Sequence, residues 1–171
     1  MRILITLVCL FSALAIYAQD ILQFPDDYFG IYKGDLHITN SRGEQTIQME
    51  FHLRATDSVG NYKYVLVYIA DGNRQERHYN LIDKGNGAYV VDENNGILLD
   101  ATLVDNKLYS MFEVQGNILT TTETFYKDKM LFETTFSNRE QKKMTGIEGG
   151  VKVHTYPITT VQKAVLYKTE N

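Results

Sequence analysis

Residues 97–136 read ILLDATLVDNKLYSMFEVQGNILTTTETFYKDKMLFETTF, and their alternation decides the fold. Two-residue loops placed at Asp105-Asn106, Gly116-Asn117 and Lys127-Asp128 align one continuous face. That face holds Ile97, Leu99, Ala101, Leu103, Leu108, Phe112, Val114, Leu119, Phe125, Met130, Phe132 and Phe136. Only Ser110, Thr121, Glu123 and Thr134 interrupt it. The opposite face carries Asp100, Thr102, Lys107, Glu113, Thr120, Thr122, Glu133 and Thr135. Side chains alternate across a strand with period two, so one face is buried and the other wet.

The pattern extends in both directions. Apolar or β-branched runs recur near 29–39, 45–55, 62–70, 76–82, 88–92 and 160–168. Turn residues separate most of them, among them Asp71-Gly72-Asn73, Gly85-Asn86-Gly87 and Asn94-Asn95-Gly96. Glycine and asparagine supply the positive φ that tight hairpins need. A two-residue loop at Arg42-Gly43 sets Ile38 against Ile47, Leu36 against Met49, Gly34 against Phe51 and Tyr32 against Leu53. The two prolines, Pro25 and Pro157, stand near the ends, which leaves the interior free to pair. The long connection is 137–160, where Ser137-x-x-Glu140 predicts a short capped helix ending at Gly146. The expectation is an all-β chain, an antiparallel up-and-down meander of about 8–10 strands. A last strand free to pair with the first closes it into a barrel and removes its edges. A two-sheet sandwich is the alternative.

The chain has 171 residues, which points to one domain. Residues 1–18 read as a secretory signal peptide, leaving 19–171 as a single β-barrel domain. Met1-Arg2 gives a positive start, Ile3 to Leu14 is apolar but for Thr6 and Ser12, and Ala13, Ala15 and Ala18 follow. Cleavage after Ala18 exposes Gln19, and cleavage after Ala15 also fits. The apolar run is short of the ~20 residues of a spanning helix, so no integral span remains once it is removed. The expected location is secreted or periplasmic. Cys9, the sole cysteine, lies in that signal, so the mature chain has no thiol for a disulfide, a metal or catalysis.

The 17 basic and 21 acidic residues give net −4; losing Arg2 leaves 16 against 21, or −5. Such a surface does not draw nucleic acid or anionic membrane by bulk charge. No G-x-S-x-G elbow, glycine-rich phosphate loop or H-x-x-x-H pair occurs, and no cofactor is expected.

Gly30-Ile31-Tyr32-Lys33-Gly34 opens the first strand after Phe24-Pro25-Asp26-Asp27-Tyr28. This resembles the start of lipocalin-like, calycin-type barrels, where G-x-W begins the first strand and an N-terminal turn closes the base. Tyr32 stands where that family has tryptophan. The family covers that ring with a late arginine, and no arginine follows Arg139 here. In overall texture the chain is also similar to small uncharacterised exported proteins of Gram-negative bacteria. The resemblance implies a closed barrel holding a small lipophilic molecule. Arg77-His78-Tyr79 sets Arg77 and Tyr79 on one face. Fatty-acid-binding barrels grip a carboxylate with Arg-x-Tyr near the C-terminus. Here the triplet is mid-chain, and it reads as an exposed strand.

Two clusters stand out. On the wet side of the first hairpin, the Arg42-Gly43 register sets Lys33 against His52, Asp35 against Glu50 and His37 against Gln48. Asp35, His37, Glu50 and His52 are metal-capable types, but Lys33 among them repels a cation, so the face reads as solvated. The second is Glu123, set opposite Ser110 and Phe132 on the apolar face, near Thr121 and Thr134. A buried carboxylate is costly unless paired or protonated. If the barrel is hollow, Glu123, Ser110, Thr121 and Thr134 are the polar anchors of a mostly apolar pocket. The leading expectation is a binding protein for a small apolar or amphipathic ligand. The rivals are an interaction or carbohydrate-associated module with a packed interior, and a barrel enzyme using Glu123 as acid or base. Mass spectrometry of the exported protein is expected to find an N-terminus near Gln19; an intact Met1 on membrane-bound protein would contradict the cleavage.

Overall fold

The computed structural model describes residues 22–169, so the signal segment 1–18, its cleavage site and Cys9 lie outside the described residues. The strands are β1 (Gly30–Asn40), β2 (Gly43–Ala55), β3 (Asn61–Ala70), β4 (Asn73–Gly85), β5 (Ala88–Asp92) and β6 (Leu98–Val104). They continue as β7 (Lys107–Val114), β8 (Asn117–Phe125), β9 (Lys129–Asn138), β10 (Lys143–Gly146), β11 (Lys152–Thr155) and β12 (Ile158–Thr169). Ten of them form a closed barrel in the order β1-β12-β9-β8-β7-β6-β5-β4-β3-β2, and β10-β11 is a separate hairpin. Every neighbouring pair in the barrel is antiparallel. Among the described residues no helix is long and apolar enough to cross a membrane.

The apolar face expected over 97–136 is observed, Glu113 of the expected wet face reaches the cavity rim as well, and two registers differ from those expected. The β7–β8 loop is Gln115-Gly116, with Val114 paired to Asn117. Both loop residues have positive φ, 49° and 76°, as the twist-matched two-residue turn requires, and Gly116 takes the second position without a Cβ penalty. The β1–β2 loop is Ser41-Arg42, where the Asn40 side chain accepts a hydrogen bond from the Arg42 backbone N–H at 2.8 Å. That Asx turn closes the hairpin before Gly43. Each correction moves the register by two residues. Because the side-chain period is two, no residue changes face, but the partners change. Phe51 lies opposite Tyr32 and Met49 opposite Gly34. Glu123 lies opposite Leu108, and Ser110 opposite Thr121.

The connection after β9 is also corrected. Ser137 is buried within β9 and paired to Ile118, so no helix starts there. The cap belongs to Asn138, whose Oδ1 accepts from the Glu140 N–H at 2.8 Å over a 3-10 turn, Arg139–Gln141. The β10–β11 hairpin follows, closed by a turn through Ile147 and Gly150 and exposed along both strands.

One barrel end is packed shut. A 3-10 turn, Asp26–Tyr28, carries Tyr28 beneath the strands. The Phe24 ring lies 5.0 Å from Phe125 and 5.5 Å from Tyr89, edge-on to the latter. The buried Tyr32 hydroxyl donates to the Tyr28 carbonyl at 2.6 Å and pins the segment in place. Phe51 roofs this floor, edge-on to Tyr64 at 4.9 Å and 5.8 Å from Phe125.

Glu50, assigned to the wet face, is in fact covered. Its carboxylate takes both guanidinium nitrogens of Arg74 (3.1 and 2.9 Å), with Lys33 at 3.2 Å and His52 at 2.9 Å. These groups hold the Glu50 carboxyl down at about 2, Arg74 most of all. A depressed folded pKa gives stability that is present above the ordinary carboxylate range and lost as pH falls toward about 2. Asp35 stays exposed and His37 turns to the Thr46 hydroxyl at 3.0 Å, so the hairpin register separates the four metal-capable groups into two places.

Phe51→Ala is expected to cost about 3–5 kcal/mol, as truncation of a fully buried phenylalanine does. Urea denaturation checks this, and a loss below about 1 kcal/mol would show that the floor is not the barrel's main packed layer.

Candidate functional site

Beyond the aromatic floor the interior is hollow. A cavity of about 810 Å³ occupies the half of the barrel nearer the Ser41-Arg42, Asp71-Gly72 and Gln115-Gly116 turns. Its walls are mostly apolar, with Leu36 and Ile47 on one side and Leu99, Leu108, Phe112, Leu119, Phe132 and Phe136 on the other. All four residues picked from the sequence, Glu123, Ser110, Thr121 and Thr134, line it. They come from three adjacent strands, β7, β8 and β9.

Register arranges them in two successive layers. Leu108, Glu123 and Phe132 form one. Ser110, Thr121 and Thr134 form the next, one step nearer the Gln115-Gly116 turn, with the two threonine hydroxyls 3.3 Å apart. The expected Glu123–Ser110 pairing across strands is replaced by this diagonal one, because the β7–β8 loop begins one residue earlier than the glycine-asparagine pair suggests.

Glu123 is 1 % exposed. Its partner is Tyr64, whose hydroxyl donates to Oε1 from β3 across the barrel. Oε2 has no hydrogen-bond partner among the described residues. Burial pushes the Glu123 carboxyl up to about 7, and the Tyr64 hydrogen bond pulls it back only in part. Burial and the adjacent carboxyl push Tyr64 well above the ordinary phenol range. Tyr64 was not singled out from the sequence. The period-two run Tyr62, Tyr64, Leu66, Tyr68 places it on an inner face, but only closure of the barrel brings β3 against β8.

Tyrosine and arginine continue along the β3–β4 wall toward the rim. The Tyr64 and Tyr79 rings stack at 6.3 Å, and the Arg77 guanidinium sits 5.1 Å from the centre of the Tyr68 ring. Arg77 and Tyr79 both line the cavity; Arg77 stays exposed, as expected of its strand, while Tyr79 is half-buried. Arg77 is the lining residue with a fixed positive charge; Glu93 and Glu113 are the other lining carboxylates. Glu113 is held by Arg139 at 2.8 Å, which ties the base of the β10–β11 arm to the cavity rim.

No protein-family model matches the chain, and no curated protein matches it in sequence. In structure it is similar to a protein of unknown function from the DUF3598 family of Nostoc punctiforme, with TM-score 0.59 and 8% identity. That match covers 87% of this chain and 50% of the other. A protein from Nitrosomonas europaea carrying the provisional name AttH is matched with TM-score 0.31 and 12% identity, over 91% of this chain and 58% of the other. The chain thus spans about half the length of the first of these proteins, and what the likeness shows is the shared barrel fold.

The unfolded glutamate ionises near its ordinary value of 4.5, while the folded one holds its proton to about 7. The folded state therefore binds more protons between those values, and stability falls as pH rises through that window, by about 3 kcal/mol in all. Urea denaturation across the window is expected to show this decline, and Glu123→Gln is expected to flatten it. An equal slope in the variant would assign the decline to other groups.

Proposed function

We propose that this protein binds one small apolar or amphipathic molecule inside its barrel and does so outside the cytoplasm, secreted or in the periplasm. The observation that carries the reading is the cavity of about 810 Å³, apolar on most walls, with a buried carboxyl oxygen that has no hydrogen-bond partner among the described residues. Ligand sites have this composition, and a volume in this range suits a drug-sized molecule. Glu123 is the main anchor, with Ser110, Thr121 and Thr134 fixing orientation beside it. The cavity opposes the rival reading of an interaction module with a packed interior.

A lipocalin-like assignment is supported by the entry into β1. Tyr32 follows Gly30 as the tryptophan of G-x-W does, and the Lys168 ammonium stands 5.8 Å from its ring centre. A cation within about 6 Å of an aromatic face is attracted by its quadrupole. A late lysine thus covers the ring in the manner of the family's late arginine. Export is supported by the charge, apolar and small-residue order of residues 1–18.

Native mass spectrometry of protein purified under mild conditions is expected to show a co-purifying small molecule, or uptake of Nile red at one site. Leu119→Trp, which narrows the cavity beside Phe112 and Phe136, is expected to weaken uptake by about tenfold or more at a stability cost of about 1–3 kcal/mol. An empty wild type that takes up no apolar probe would end the reading.

A further inference from the structure

We propose that the cavity selects apolar alcohols, held hydroxyl end inward on Glu123, over carboxylic acids and amines of the same length. This deepens the ligand-binding reading and rests on it. Glu123 lines the cavity, and its Oε2 is buried with no hydrogen-bond partner among the described residues. An unsatisfied buried carboxyl oxygen is costly, so a ligand group that satisfies it gains more than it would at a wet surface.

Which group does so depends on what faces Glu123. Tyr64 comes from β3, Leu108 from β7 and Phe132 from β9. Of these only Tyr64 titrates, and among the described residues no cation stands in this layer. The charged lining groups, Arg77, Glu93 and Glu113, belong to the rim half of the cavity. With Tyr64 donating to Oε1, a protonated Glu123 presents an O–H at Oε2 and seeks an acceptor. An ionised Glu123 presents a bare oxygen there and seeks a donor. A hydroxyl rotates to meet either state. A carboxylate only accepts and brings a second negative charge into a layer without a cation. An ammonium only donates and requires a desolvated ion pair. The adjoining layer adds the hydroxyls of Ser110, Thr121 and Thr134, which can complete the alcohol's second hydrogen bond without any fixed charge.

The test is displacement of Nile red by decanol, decanoate and decylamine in the wild type, Glu123→Leu and Glu123→Gln. The leucine variant measures what chain apolarity alone contributes. Decanol is expected to lose about tenfold in affinity on Glu123→Leu, while decanoate and decylamine change by less than about twofold. Glu123→Gln, whose amide both donates and accepts, is expected to retain most of the decanol affinity, so the result does not hinge on the leucine variant folding. Decanoate or decylamine binding the wild type as tightly as decanol would overturn the proposal while leaving the binding reading intact. Decanol affinity unchanged in Glu123→Leu would overturn it too, by removing Glu123 from recognition. Failure of Nile red and all three chains to bind would bring down the binding reading itself, and the proposal with it.

Discussion

The structure depends on the seam where β12 lies between β9 and β1. Ten strands in meander order have two open edges until the last meets the first, and each edge is a row of unpaired backbone donors and acceptors. Seven strands separate β1 from β9 around the sheet, and β12 joins them on the other side. The pairing is long: β12 runs against β1 from Thr160 to Thr169, and the Thr169 hydroxyl adds a bond to the Ile31 carbonyl at 3.1 Å. Gly34 belongs to this seam. A Cβ there would run into the Val165 carbonyl oxygen, so the close approach of β12 is what requires glycine. A left-handed backbone is not the reason.

Closure divides the interior. Where aromatic rings from the N-terminal segment meet those of β1, β2, β5 and β8, space is filled by Tyr28, Tyr32, Phe51, Tyr89 and Phe125. Toward the other end polar residues, Ser110, Thr121 and Thr134 among them, join the inward face, and the walls no longer meet. The same alternation of in and out thus yields a packed floor and a hollow upper half. Glu123 and Tyr64 sit at the boundary. The carboxyl is desolvated by the floor beneath it, and that is why its proton affinity rises toward neutrality. On the outside, the ions around Glu50 do the opposite work of shielding Val67, which is fully buried although it points away from the core.

The faces were legible in the sequence because a period of two survives any error of two residues. Ile97 through Phe136 point inward as the alternation says, and the four polar interruptions meet in one cavity. The registers were less legible. Gly116-Asn117 and Arg42-Gly43 look like loop pairs, but the observed loops place Gly116 at the second position and close the first hairpin through the Asn40 side chain. Neither preference shows as hydropathy. Tyr64 was illegible for another reason: 59 residues separate it from Glu123, and only the curvature of the closed sheet brings them together. The burial of Glu50 likewise needs Arg74 from β4, two strands away.

The Phe24–Tyr28–Phe125 floor makes the barrel a cup rather than a tube. Were a molecule bound as proposed, it would enter and leave past Arg77, Glu113 and the base of the β10–β11 arm. Threading through the packed end would be blocked. The end that entered first would be the end that meets Glu123, and the end left at the rim would be the one a receiving surface touches first. Exchange in such a vessel is a matter of withdrawal, and its direction is fixed by the rings that seal the base.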